Sequence, residues 1–176
     1  MTEANKVRPA GRTLCLGLFL AFSAAAVAWG LDPRLAITQY GRGVWTTANG
    51  LPQDSIRGIT QTIDGYLWIA TMGGLARFDG VYFTVFNSEN TPALGPNEIT
   101  AVAADPGGGL WIGTNGAGVL RFLNGKFTQV AGISDLPSTS VRYLKVDSRG
   151  VLWIGADDGL AKYEHGKLST VFRGPN

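Results

Sequence analysis

An all-β fold built from repeated blades is predicted by three features of the sequence. A phrase returns three times, its copies keep a nearly fixed interval, and glycines fall where short strands must turn. The phrase reads GYLWIATMGGLARFDG from Gly65, GLWIGTNGAGVLRFLNG from Gly109 and VLWIGADDGLAKYEHG from Val151. Its tryptophans are Trp68, Trp111 and Trp153, and the two intervals between them differ by a single position. They match the period of about 40–45 residues that marks one four-stranded propeller blade.

Taken from the N-terminus, positions 1–28 read as a secretory signal peptide helix. Lys6, Arg8 and Arg12 form a basic n-region, LCLGLFLAFSAAAVA an apolar h-region, and Ala26-Val27-Ala28 a cleavage site before Trp29. The apolar run falls short of the roughly 20 residues of a spanning helix. An uncleaved N-terminal anchor is the alternative. Cys15, the only cysteine, lies inside this segment, so the mature chain has no disulfide to rely on. The formal net charge of +2 resides in the same segment: beyond Ala28, basic and acidic side chains are equal in number. That balance gives no electrostatic case for nucleic acid or an anionic membrane.

Positions 29–39 read as a linker and 40–176 as a partial propeller, with blades at about 52–94, 95–136 and 137–174. A leading strand is expected around Val44–Thr47, because Trp45 stands before Leu51 as Val130 stands before Leu136. In a closed ring it would clasp the last blade. Within the units, Ile56, Ile99 and Val141 hold one shared position ahead of the tryptophan, and Ile59, Val102 and Leu144 hold a second. Strands are expected in the first unit at about 56–62, 66–71, 74–79 and 82–87. Asp64-Gly65, Gly107-Gly108 and Arg149-Gly150 turn between the first two strands, and blade two lacks the acidic residue there. Gly74, Gly118 and Gly159 open the third strand; Asp79-Gly80, Asn124-Gly125 and His165-Gly166 lead to the fourth.

Leu67-Trp68-Ile69 does not alternate in polarity, as a strand with one wet face would. It fits a strand covered on both faces, with the tryptophan packed between blades.

The segment NGLPQDSIRGITQTIDGYLWIATMGGLARFDGVYFTVF, echoed by NEITAVAADPGGGLWIGTNGAGVLRF and LPSTSVRYLKVDSRGVLWIGADDGLAKY, resembles the two-component regulator propeller repeat over about positions 40–172. Blade one departs from it with Ala70 where the others have Gly113 and Gly155, and blade two carries one extra residue before Gly118. The resemblance implies a periplasmic propeller, free or anchored to the inner membrane, commonly of two rings of seven blades. It also implies a β-sandwich, a transmembrane helix and a cytoplasmic histidine kinase or diguanylate cyclase beyond it, and oligo- or polysaccharide ligands. Propellers use roughly 4–8 blades, so three blades and a strand read as the N-terminal piece of a longer sensor, or the product of a truncated gene.

No catalytic or cofactor constellation is expected. His165, the only histidine, aligns with Asp79 and Asn124 at a hairpin turn and reads as a turn residue rather than a phosphoacceptor. No phosphate-binding glycine loop or His/Cys cluster at metal-ligand spacing occurs. Ligands are expected on the face carrying the loops Asn87–Asn97 and Gly132–Ser140 and the turns Met72–Gly73, Asn115–Ala117 and Asp157–Asp158. The candidate binding residues are Met72, Asn90, Asn115, Asp135, Asp157 and Asp158; the structural repeat residues are Trp68, Trp111, Trp153, Gly74, Gly118 and Gly159. Tyr40 and Trp45 fit clasp packing or sugar stacking, and Arg42, Arg57, Arg77, Arg121 and Arg142 read as scattered blade surface. The expected partners are the remaining blades of a receptor or a second copy that closes a six-bladed C2 ring. A polysaccharide lyase or glycosidase of propeller type is the remaining alternative, and it would need positioned carboxylates or a His/Tyr base.

Overall fold

The structure is a computed structural model describing residues 43–175 apart from Pro96, and the backbone only of Ile133. The signal segment, the linker, Tyr40 and Arg42 lie outside the described residues. Three four-stranded antiparallel sheets follow one another along the chain. The first comprises β1 (Ile56–Gln61), β2 (Leu67–Thr71), β3 (Gly74–Phe78) and β4 (Phe83–Phe86). The second holds β5 (Ile99–Ala104), β6 (Leu110–Thr114), β7 (Val119–Leu123) and β8 (Lys126–Ala131). The third holds β9 (Val141–Val146), β10 (Leu152–Ala156), β11 (Gly159–Glu164) and β12 (Lys167–Arg173). Each is a simple meander whose strands pair in sequence order, the architecture the repeat predicts. The first strands β1, β5 and β9 lie side by side and form the inner edge.

The Leu-Trp-Ile-Gly phrase divides its side chains between two neighbours. In blade two, Leu110 and Ile112 join the cluster containing Trp68 and Ala70 of blade one, while Trp111 joins the one containing Leu152 and Ile154 of blade three. Gly113 faces blade three as well: a Cβ there would lie 2.6 Å from Val141 Cγ1. Leucine and isoleucine thus address the preceding blade, and tryptophan and glycine the following one. Successive side chains of a strand point to opposite faces, so an unbroken apolar run serves two interfaces at once. All of β6 is buried accordingly.

The structural glycines open β3 and β11 and stand immediately before β7, where strand four of each blade crosses over them. A Cβ on Gly118, whose φ is +80°, would collide with the carbonyl oxygen of Ala131; Gly74 and Gly159 meet Phe86 and Phe172 in the same way. At the next turn Asn124 and His165 both adopt positive φ, 50° and 49°. Each is followed by a glycine of positive φ, as the paired left-handed residues of a tight hairpin require. His165 is therefore an exposed hairpin corner.

Two expectations need correction. Val44–Thr46 belongs to no strand, and Thr47–Asn49 forms a 3-10 turn. A strand needs a ladder partner; here Asn49 N–H turns back to the Thr46 carbonyl and Thr47 N–H donates to Asp54 Oδ1 at 2.7 Å. Blade two does not lack an acidic group at its first turn either. Asp105, at the repeat position of Thr62 and Asp147, accepts from Gly107 N–H at 2.9 Å.

Candidate functional site at the mouth of the inner strands

Each inner strand carries a β-bulge near its start. Pairing skips from Ile56 to Gly58, from Ile99 to Ala101, and from Val141 to Tyr143. The residues left over are Arg57, Thr100 and Arg142. A bulge leaves one residue outside the ladder and re-aims its side chain, and here the same repeat position does so three times. Arg57, Thr100 and Arg142, together with Glu98, line a cavity of about 210 Å³. It adjoins a groove of about 230 Å³ that runs along β1, β5 and β9 past Tyr143, whose side chain is 62% exposed.

The turns between strands two and three reach the same place. Met72, Asn115 and Asp157 occupy one repeat position there, each a single turn beyond its tryptophan. Arg57 donates to Met72 Sδ at 3.0 Å. Arg142 makes a forked ion pair with Asp157, at 2.6 and 2.9 Å. Asn115 Nδ2 donates to Glu98 Oε2 at 2.8 Å, and its Oδ1 accepts from Ser140 Oγ at 2.5 Å, which ties blade two to blade three. The Arg142 hydrogen bonds, above all, hold the Asp157 carboxyl below the usual carboxylate range, against the opposing effect of burial.

Both carboxylates of the mouth are thus engaged. Arg57 has no carboxylate partner among the described residues, and the buried Thr100 hydroxyl has no hydrogen-bond partner there. Such a set can donate to and accept from hydroxyl or carboxylate oxygens, and Tyr143 offers an aromatic face beside it. No cluster of three metal-ligating side chains occurs among the described residues.

Of the expected binding residues, Met72, Asn115 and Asp157 come together here. The other three do not. Asn90 binds its own loop, accepting from Asn87 N–H at 3.0 Å and donating to the Val85 carbonyl at 2.9 Å. Asp135 caps a 3-10 turn through Gly132 N–H at 2.9 Å. The Asp158 side chain is exposed beside the mouth, and its carbonyl accepts from Gly174 N–H. Arg57 and Arg142, read as scattered surface, are instead the bulged residues. The signal was available: with Thr100, each directly follows the first apolar residue of its unit.

The two-component regulator propeller family matches residues 50–73, 93–116 and 135–158, one match per blade, each ending in the turn that bears Met72, Asn115 or Asp157. No curated protein matches the chain. Among solved structures it is similar to the extracellular domain of a hybrid two-component system of B. thetaiotaomicron, with a TM-score of 0.65 at 24% identity. That likeness covers 74% of this chain and 20% of the other, so the chain spans about a fifth of that relative's length. A second extracellular domain from the same organism gives a TM-score of 0.58 at 25% identity, covering 73% of this chain and 18% of that one. Virginiamycin B lyase from Staphylococcus aureus, at 18% identity, gives 0.57 over 72% of this chain and 43% of its own, a likeness of fold alone. With a match in every blade and the four-stranded meander in each, the chain belongs to the two-component regulator propeller family.

Proposed function

We propose that the chain is a ligand-sensing segment of an extracytoplasmic propeller in a signal-transduction receptor, with no catalytic step of its own. Its output would come from a histidine kinase or diguanylate cyclase elsewhere in the receptor, and its export from the signal-like positions 1–28. The observation that carries the reading is the threefold bulge: it aims Arg57, Thr100 and Arg142 into one cavity at the inner edge. The ligand class that fits is an oligosaccharide. An arginine fork and a free hydroxyl suit sugar oxygens, and Tyr143 can stack against a ring. A non-catalytic role is supported by the engagement of Glu98 and Asp157 and by the remoteness of His165 at its hairpin corner.

The test is calorimetric titration of the full chain with a panel of neutral and acidic oligosaccharides. A binder should lose at least tenfold in affinity with Arg57→Ala and with Tyr143→Ala. Binding indifferent to both substitutions, or none across the panel, refutes the site.

A further inference from the structure

The two junctions between blades are filled differently at their outer ends. Between blades one and two, Phe86 lies 5.7 Å from Trp68, 6.1 Å from Phe122 and 5.3 Å from Phe127, and these rings close the gap. Between blades two and three the same places hold other residues. Counted from the Phe-Thr pair of each fourth strand, Phe83-Thr84 and Phe127-Thr128, Phe86 becomes Val130. The cross-strand pair Phe122 and Phe127 becomes Tyr163 and Leu168. Two rings are lost and the third gains a hydroxyl. A cleft of about 510 Å³ lies there between the β7–β8 hairpin and blade three, with Val130 and Tyr163 in its wall. That is within the roughly 300–1,000 Å³ of ligand pockets.

The wall is cationic and polar. Arg121 and Lys126 line the cleft, and no carboxylate does. Arg121 is fixed from behind: its Nε donates to Asp105 Oδ2 at 2.6 Å, and its guanidinium lies 5.0 Å from the centre of the Trp111 ring. That ion pair is neutral as a unit, and the Asp105 side chain is 8% exposed. Lys126 has no carboxylate partner among the described residues, so the cleft keeps one uncompensated positive charge. Asn124 and Thr128 add side chains that both donate and accept. Tyr163 is held edge-on to Trp111 at 5.6 Å, a fixed ring at the other side. All these residues fall outside the stretches 50–73, 93–116 and 135–158 that match the family. The cleft therefore belongs to this chain's own third and fourth strands, and the repeat does not dictate it.

We propose that the cleft between blades two and three is a second binding site, and that it takes a sugar acid. The carboxylate pairs with Lys126, the hydroxyls meet Asn124 and Thr128, and the sugar ring lies against Tyr163. The site is separate from the mouth. The β7–β8 hairpin is at the outer edge of its blade, and at the opposite end from the bulges that begin the inner strands. The proposal does not rest on the receptor reading, and both blades that form the cleft are described.

The test is calorimetric titration of the full chain with galacturonate, galactose and inorganic sulfate. Galacturonate should bind about tenfold more tightly than either of the others, and Lys126→Ala should weaken it by about tenfold. Val130→Phe restores the ring that Phe86 places in the first junction. It should abolish galacturonate binding while the unfolding midpoint holds or rises. Lys126 is exposed on a hairpin, so its substitution keeps the test sound should Val130→Phe fail to fold. No galacturonate binding at millimolar concentrations overturns the proposal. So does galactose or sulfate binding as tightly as galacturonate, because the first needs no cation and the second needs no cleft. Galacturonate binding that survives Lys126→Ala and falls with Arg57→Ala belongs to the mouth; it overturns this proposal and leaves the receptor reading standing.

Discussion

Strands β6 and β10 carry nearly the same words, Leu-Trp-Ile-Gly-Thr and Leu-Trp-Ile-Gly-Ala, and meet different fates. In β6 every residue is buried, because blade one covers Leu110 and Ile112 while blade three covers Trp111 and Gly113. In β10 only Leu152 and Ile154 are buried; Trp153 and Gly155 face outward and remain partly exposed. The difference teaches that the phrase is two half-interfaces rather than one core. The tryptophan half gains its full burial only where a following blade supplies the complement. The stability a given tryptophan contributes is therefore set by its place in the row.

The comparison can be broken most forcefully at the tryptophans. Trp68 is 1% exposed, stacks with Phe86, packs at a tilt against Phe122, and has its N–H satisfied by Thr62. Trp68→Ala should cost about 3–5 kcal/mol in urea unfolding, whereas Trp153→Ala should cost about 1–2 kcal/mol in the isolated chain. Equal losses would mean that blade three's face is covered.

The glycines give the next largest contrast. Gly113→Ala forces a methyl into Val141 and should cost about 1–3 kcal/mol, with part restored by Val141→Ala. Gly155→Ala meets only Tyr143, at 3.4 Å, and should stay within about 0.5 kcal/mol. A third contrast lies in the turns. Thr71 and Thr114 each donate to the carbonyl of the glycine that opens the next strand, at 2.8 and 2.9 Å, and accept a turn amide. Blade three has Ala156 in that place. Thr114→Val should destabilise by about 1–2 kcal/mol, and Ala156→Thr should stabilise by about 0.5–1.5 kcal/mol, both read as shifts in the unfolding midpoint.

The smallest effect separates the blades by pH. Asp147 is lowered to about 2, first by the Trp153 ring N–H and then by the Val151 amide. Its folded value lies below its ordinary one, so its contribution is complete above about pH 4 and disappears as pH falls towards 2. Blade one uses Thr62 at this position, which has no charge to lose. Near-ultraviolet circular dichroism should show Trp153 loosening in that window while Trp68 holds. Asp147→Asn should flatten the Trp153 change.

The blades were legible in the sequence because period, turn residues and apolar pattern all agree within each unit. β2 and β3 lie within one position of their expected limits, and β4 begins at Phe83 where 82 was expected. The strand expected at Val44–Thr47 misled because alignment to a fourth strand says nothing about whether a ladder partner is present. At the site, turn position alone brings Met72, Asn115 and Asp157 to the mouth. Asn90 and Asp135 are held within their own loops for a shared reason. A polar side chain in a loop often satisfies its own backbone first, and a sequence does not distinguish that from reaching outward. The shared repeat position of Arg57, Thr100 and Arg142 was legible, but the bulge that re-aims them is a property of pairing between strands.

The division of Leu-Trp-Ile-Gly between two neighbours has an evolutionary consequence. A gene segment encoding one such unit already specifies a front and a back that fit each other. Tandem duplication then lengthens the array without any new surface having to be invented. The bulged position at the inner edge lies outside that fitted surface, so it is free to diverge from one copy to the next. Arginine, threonine and arginine at positions 57, 100 and 142 are the visible result: a constant frame carrying a variable alphabet.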